Sequence, residues 1–162
     1  ANHAGVSPQT SIAALEKFQG VKRRMEIKGV VNGITIYDDF AHHPTAIATT
    51  IAGLRQRVGN ARILAVLEPR SNTMKQGVWK DDLAASLRDA EAVFCHTANL
   101  GWDAAGALRS LGDKVKTSDD IDALIKMIKQ AVKTGDQVLI MSNGGFAGIH
   151  GKLLAKLKST TS

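Results

Sequence analysis

The sequence predicts an α/β domain: a Rossmann-like, mostly parallel sheet with an antiparallel hairpin at one edge and helices on both faces. Three observations predict it. Apolar runs at 63–67, 92–96 and 137–141 lack internal alternation, as strands covered on both faces do. Each run is followed by a segment with helical spacing of apolar residues. Asn32-Gly33 stands between two short strand-like runs, the pattern of a two-residue hairpin turn.

The elements follow in order. Ser7-Pro8 reads as a cap followed by proline at the first helical position. Ile12, Leu15 and Phe18 continue that helix, and Gly20 ends it. A basic segment, 21–24, leads into strands at 25–31 and 34–37. Pro44 starts a helix with Ile47, Ile51, Leu54 and Val58 on one face. After the strand at 63–67 comes a polar loop, 68–77, then a helix over 78–88. The strand at 92–96 precedes a short helix over 102–111 and a brief strand at Val115. Residues 117–120 cap a helix carrying Ile121, Leu124, Ile125, Ile128 and Val132. The strand at 137–141, a Ser-Asn-Gly-Gly loop and a last helix over 147–157 complete the domain, leaving 159–162 as a tail.

Composition narrows the function. A chain of 162 residues with 44% hydrophobic and 22% charged residues fits one globular domain. Lys and Arg number 21 against 15 Asp and Glu, a net charge of +6 that favours anionic partners. Aromatic residues are only 4%, too few to favour a stacking platform for single-stranded nucleic acid. No apolar run is long enough for a transmembrane helix, and the N-terminus lacks the charged and apolar regions of a signal peptide. The single cysteine, Cys95, reads as a core residue. It excludes an internal disulfide and fits a reducing cytosol. The chain does not begin with Met, which fits an excised piece of something longer.

In open α/β sheets, ligands sit beyond the carboxyl ends of strands. Three such ends are polar here: 38–43, 68–75 and 142–148. Asp38-Asp39-Phe40-Ala41-His42-His43-Pro44 lies before a helix N-terminus, where backbone N–H groups favour anions. A carboxylate there can accept from ribose hydroxyls, or Asp39 or His43 can simply cap the helix. In Glu68-Pro69-Arg70-Ser71-Asn72-Thr73-Met74-Lys75, Arg70 can grip a carboxylate with two hydrogen bonds; the alternative is a solvated loop with capping hydroxyls. Ser142-Asn143-Gly144-Gly145 offers backbone donors to an anion, or a tight strand–helix turn. Gly148 to Lys152 lacks the spacing of a phosphate loop, and no GxGxxG is present. The adjacent His42 and His43 do not make a metal site by spacing.

Together, Val21-Lys22-Arg23-Arg24-Met25-Glu26, the Asn-Gly hairpin and the 38–45 segment resemble the C-terminal domain of the Mur ligases, the ATP-dependent amide-forming enzymes of bacterial cell-wall synthesis. The segments at 68–75 and 142–146 resemble the member that joins L-alanyl-γ-D-glutamyl-meso-diaminopimelate to UDP-N-acetylmuramate in peptidoglycan recycling. The resemblance implies a cytoplasmic bacterial ligase. Its N-terminal domain binds the UDP-sugar, and its central domain carries the phosphate loop and the magnesium ligands. Residues 1–20 would be the end of that central domain, and 21–158 the C-terminal domain. The partners implied are ATP, Mg2+ held mainly by the central domain, UDP-N-acetylmuramate, the murein tripeptide, and the two other domains.

By the same resemblance Arg24, Asp39 and His42 hold ATP, while His43, Arg70, Ser71, Asn72, Lys75, Ser142, Asn143 and Gly144 line the peptide pocket. No catalytic or metal-binding residue is expected within this chain, which alone would be inactive. Two other readings remain. One is the C-terminal domain of a UDP-N-acetylmuramate–L-alanine ligase. The other is a nucleotide-binding module without catalysis. Nucleic-acid binding ranks last, because the basic residues are spread over several helices.

Overall fold

The structure, a computed structural model, describes residues 5–16 and 22–159. The Leu15 side chain, Phe18, the stop at Gly20 and tail residues 160–162 lie outside the described residues, as does the expected domain boundary near residue 20.

Helix α1 (Pro8–Glu16) begins as expected, with Ser7 Oγ accepting from the Thr10 N–H at 3.1 Å. Strands β1 (Glu26–Val31) and β2 (Ile34–Asp39) form the edge hairpin. Asn32 and Gly33 have φ of 51° and 74°, the paired left-handed conformation that an Asn-Gly turn supplies at low cost. The order is then α2 (Pro44–Val58), β3 (Ile63–Leu67), α3 (Asn72–Lys75), α4 (Lys80–Ser86), β4 (Ala92–His96), α5 (Ala104–Ala107), β5 (Val115–Ser118), α6 (Ile121–Ala131), β6 (Gln137–Met141) and α7 (Ile149–Lys158).

The six strands lie in the order β1-β2-β6-β3-β4-β5, parallel except for the β1–β2 pair. One core packs Ile47, Ile51 and Leu54 of α2 and Leu83 of α4 against Ile63, Ala65 and Leu67. The other packs Leu124, Ile125 and Ile128 of α6 and Ile149 and Leu153 of α7 against Leu64, Val66, Val138 and Ile140. Successive residues of β3 and β6 therefore serve opposite cores, which is why these strands carry no polar alternation.

Four of the boundaries that differ from the sequence expectation do so for a visible reason. Strand β2 runs on to Asp39, because β6 continues alongside and pairs Asp38 with Ile140 and Asp39 with Met141. The 68–77 loop contains α3, capped by Ser71 and anchored by buried Met74. The helix expected over 102–111 is α5 followed by a 3-10 segment, Arg109–Lys114, with Gly112 at a non-helical φ of 64°. The last helix starts at Ile149 rather than 147, because Ala147 and Gly148 have φ of 47° and 69°.

Candidate functional site

Parallel pairing brings the carboxyl ends of β2, β6 and β3 side by side. Backbone bonds continue past the ladder: the Ser142 N–H donates to Asp39 O at 3.1 Å and the Glu68 N–H to Met141 O at 3.1 Å. The three polar segments singled out by sequence thus meet on one edge of the sheet. They divide into two hollows.

The larger is a cleft of about 950 Å³ between the β2–α2 connection and the segment before β1. Lys22 and Arg24 stand exposed at its mouth, and His42 and His43 line it. His42 Nδ1 lies 2.9 Å from Phe40 O. A carbonyl only accepts, so Nδ1 carries the proton and neutral His42 keeps Nε2 as an acceptor. His43 caps α2, its Nδ1 accepting from the Thr45 N–H at 3.3 Å, and its ring meets Trp79 edge-on with centroids 4.2 Å apart. His43 therefore sits in this cleft, apart from Arg70, with which the resemblance had grouped it.

Asp39 is buried beneath the cleft and does not cap α2. Its carboxylate accepts from the Met25 and Ala41 N–H groups, each at 2.8 Å, and from the Thr50 hydroxyl at 3.3 Å. It ties the segment before β1 to the start of the β2–α2 connection. Oδ1 accepts two of these bonds and Oδ2 one, so with two lone pairs per oxygen one acceptor site remains, on Oδ2. The cationic mouth and the space behind it suit a polyphosphate with an attached nucleoside. Among the described residues no group of three or more His, Cys, Asp or Glu side chains could hold a metal ion.

The smaller hollow is a recess of about 250 Å³ lined by Glu68, Arg70, Lys75, His96 and Asn99. Arg70 is exposed and makes no hydrogen bond or ion pair among the described residues. Its side chain lies across Gly144: a Cβ there would stand 2.5 Å from Nη1 and 2.6 Å from Cδ. Gly144 is thus a floor under Arg70 that no larger residue could provide without displacing it. The opposite wall is fixed differently. His96 Nδ1 lies 3.1 Å from Ser118 O and must donate to it, which leaves Nε2 an acceptor in the neutral ring. That ring packs on buried Phe146 with centroids 5.8 Å apart.

Ser71, Asn72, Ser142 and Asn143 do not line the recess. Ser142 is buried; its hydroxyl donates to Glu68 Oε2 at 2.6 Å and accepts from the Gly144 N–H at 2.9 Å. It orients the Glu68 carboxylate and shapes the loop. Ser71 is the α3 cap, accepting from the Met74 N–H at 3.3 Å. Asn72 is exposed in the first turn of α3, and Asn143 Oδ1 is buried with no hydrogen-bond partner among the described residues. The Trp102 indole donates to Met74 O at 2.6 Å and holds the 68–77 segment in place.

Three residues around the hollows had no individual role in the sequence reading. Glu68 and His96 each stand at the carboxyl end of a buried strand, and that position was the available signal. Arg23 was passed over for its neighbour Arg24. Its role depends on a φ of 59°, which nothing in a Lys-Arg-Arg run announces.

Comparison with known proteins supplies an independent reading. The family described as "Mur ligase, glutamate ligase domain" matches residues 23–144. The UDP-N-acetylmuramate–L-alanyl-γ-D-glutamyl-meso-2,6-diaminoheptandioate ligase of Escherichia coli K12 is 51% identical over 156 residues, covering 95% of this chain and 34% of that protein. The crystal structure of a murein peptide ligase from Psychrobacter arcticus 273-4 superposes with a TM-score of 0.76 at 42% identity, covering 99% of this chain and 35% of that one. A UDP-N-acetylmuramate–L-alanine ligase from Mycobacterium sp. strain JLS is 29% identical over 165 residues, covering 96% of this chain and 34% of that protein. The chain spans about a third of the length of the curated relatives it matches.

Proposed function

The chain belongs to the Mur ligase family, as its glutamate ligase domain; on that premise we propose that it is the C-terminal domain of an ATP-dependent ligase joining L-alanyl-γ-D-glutamyl-meso-diaminopimelate to UDP-N-acetylmuramate in bacterial peptidoglycan recycling. The observation that carries this reading is the division of one sheet edge into two hollows of different chemistry. The larger, with Lys22 and Arg24 at its mouth, suits ATP. The smaller sets two cations, Arg70 and Lys75, against the Glu68 carboxylate and the His96 ring. That pattern suits a peptide end that carries both carboxylates and an amine.

Arg24 supplies positive charge to the nucleotide phosphates, Asp39 the remaining acceptor capacity toward ribose hydroxyls, and His42 a ring nitrogen beside them. ATP phosphorylates the muramate carboxylate to an acyl phosphate. The alanyl amine of the tripeptide attacks that carbonyl, a C–N bond forms, phosphate departs with the C–O bonding electrons, and the amine nitrogen loses a proton. Nothing in this sequence of steps needs a catalytic side chain from the present domain. Its part is to hold the amine substrate at the right angle to the acyl phosphate, an effect of proximity and orientation. Residues 1–20 form the end of the central domain in this reading. That domain brings the phosphate loop and Mg2+. The chain alone is expected to give no turnover, and the setting is the bacterial cytosol.

The test is steady-state kinetics on the complete enzyme with each substrate varied in turn. Arg70→Ala removes a charged hydrogen-bond donor worth ~1.5–3 kcal/mol, so the tripeptide KM should rise roughly 10- to 150-fold. The KM values for ATP and UDP-sugar should stay near wild type. Arg70→Lys should rescue partly, because it keeps the charge and loses the fork. An unchanged tripeptide KM would remove Arg70 from the site and overturn this reading.

A further inference from the structure

We propose that Arg23 is a positioning residue for the peptide-side recess: it clamps the 142–145 loop and thereby fixes the floor on which Arg70 lies. The inference rests on the reading of Arg70 as the carboxylate anchor given above.

The Arg23 guanidinium is held on several sides. Its Nη2 donates to the carbonyls of both Ser142 and Gly144, the latter at 2.9 Å. Its Nε stands 3.4 Å from the buried Asp38 carboxylate, and its Cζ lies 5.1 Å over the Phe40 ring. The backbone is pinned too, with the Phe40 N–H donating to Arg23 O at 2.8 Å and the Arg23 N–H to Glu26 Oε2 at 3.0 Å. The left-handed φ of 59° turns the side chain out of the β1 line and toward the end of β6.

Two carbonyls of one tight loop converging on a single donor repel each other unless a cation stands between them. An arginine supplies that cation with a planar, directed donor set; a lysine supplies only a point charge. The Gly144 N–H is bonded back to Ser142 Oγ and the Gly144 carbonyl is held by Arg23, so the peptide units on both sides of Gly144 are fixed. Arg70 packs on Gly144 within what would be clashing distance of any Cβ. A shift of the loop is therefore transmitted to the Arg70 guanidinium. Arg23 itself lines the larger cleft and not the peptide recess, so its effect on the recess is indirect.

A residue that acts through Arg70 has nothing left to act on once Arg70 is gone. The experiment is a double-mutant cycle in the complete enzyme, with Arg23→Ala, Arg70→Ala and the double variant, reading KM for tripeptide and for ATP together with kcat. The expected result is a rise in tripeptide KM of about 10-fold for Arg23→Ala, with ATP KM changed less than about 2-fold, and a double variant no worse than Arg70→Ala alone. Arg23→Lys, which keeps the charge beside Asp38, should remain folded and show an intermediate tripeptide KM. It carries the same cycle should the alanine variant fail to fold. Full additivity of the two single effects, or an equal rise in every KM, would overturn the inference while leaving the Arg70 reading standing. An Arg70→Ala enzyme with an unchanged tripeptide KM would overturn both.

Discussion

The Asp39 carboxylate accepts the backbone N–H of Met25 at 2.8 Å, joining the segment ahead of the edge hairpin to the far end of its second strand. With the Ala41 N–H also on this carboxylate, Asp39→Ala strips two backbone donors of their partner. Each orphaned donor costs ~1–3 kcal/mol, so the variant should lose about 2–6 kcal/mol in urea unfolding. An unchanged midpoint would mean that water replaces the carboxylate without loss and that Asp39 is free to act on ligand alone.

Gly144 makes a complementary prediction. The atoms that a Cβ would meet there belong to the end of a flexible, exposed side chain. Gly144→Ala should therefore displace Arg70 at a stability change within ~0.5 kcal/mol, as at other surface sites. Because the expected loss is one charged anchor, tripeptide KM should rise roughly 10-fold or more. A variant with normal tripeptide KM and normal stability would show that Arg70 does not need this floor.

His150 predicts a pH dependence. Burial disfavours its charged form and outweighs the pull of Asp38, with Lys28 and Arg23 lowering the pKa further and Glu26 opposing them, so the folded pKa lies below the ordinary value of 6.5. Its Nε2 stands 3.3 Å from Asp38 Oδ1, but the two are not aligned as a hydrogen bond. A histidine with a depressed folded pKa takes up its proton more readily when unfolded. Stability should thus fall as pH drops below about 6.5 and level off once pH passes the folded pKa. Denaturant midpoints between about pH 7.5 and about pH 5.5 should show this slope in the wild type and lose most of it in His150→Asn. An identical slope in the variant would assign the effect to other groups.

Cys95 should be inert in the native state. Burial pushes its thiol up to about 12, and no thiolate forms at neutral pH. A disulfide reagent should label it only at the rate of unfolding, with the label appearing in denaturant. Rapid labelling of native protein would contradict the burial of β4.

Much of this was legible in the sequence, for reasons that particular residues make plain. The apolar runs 63–67, 92–96 and 137–141 form strands with the expected bounds, because burial on both faces demands that composition. The Asn32-Gly33 turn and the Pro44 helix start are local chemistry, readable without tertiary context. The three polar strand ends do meet, because parallel pairing places them together. The division of labour within them was not legible. Ser142 and Asp39 look like ligands in sequence, yet their side chains hold backbone and neighbouring groups. Whether a polar side chain faces a hollow or the turn beneath it depends on the left-handed residues 23, 25, 146 and 147, none of which is glycine. His96 ends a strand read for its apolar character alone, and Glu68, inside the polar 68–75 segment, carried no individual role.

On the proposed function, this domain presents a peptide, rather than a single amino acid, to the acyl phosphate. The most direct measurement gives the complete enzyme ATP, magnesium and UDP-N-acetylmuramate, with either the tripeptide or L-alanine as amine, and follows both phosphate release and the amide product. The tripeptide should be joined at a kcat/KM at least about 100-fold above that for L-alanine, because in the proposed function it is the tripeptide that engages Arg70 and the recess around it. Preferential use of L-alanine would contradict this and would make the chain the C-terminal domain of an alanine-adding ligase.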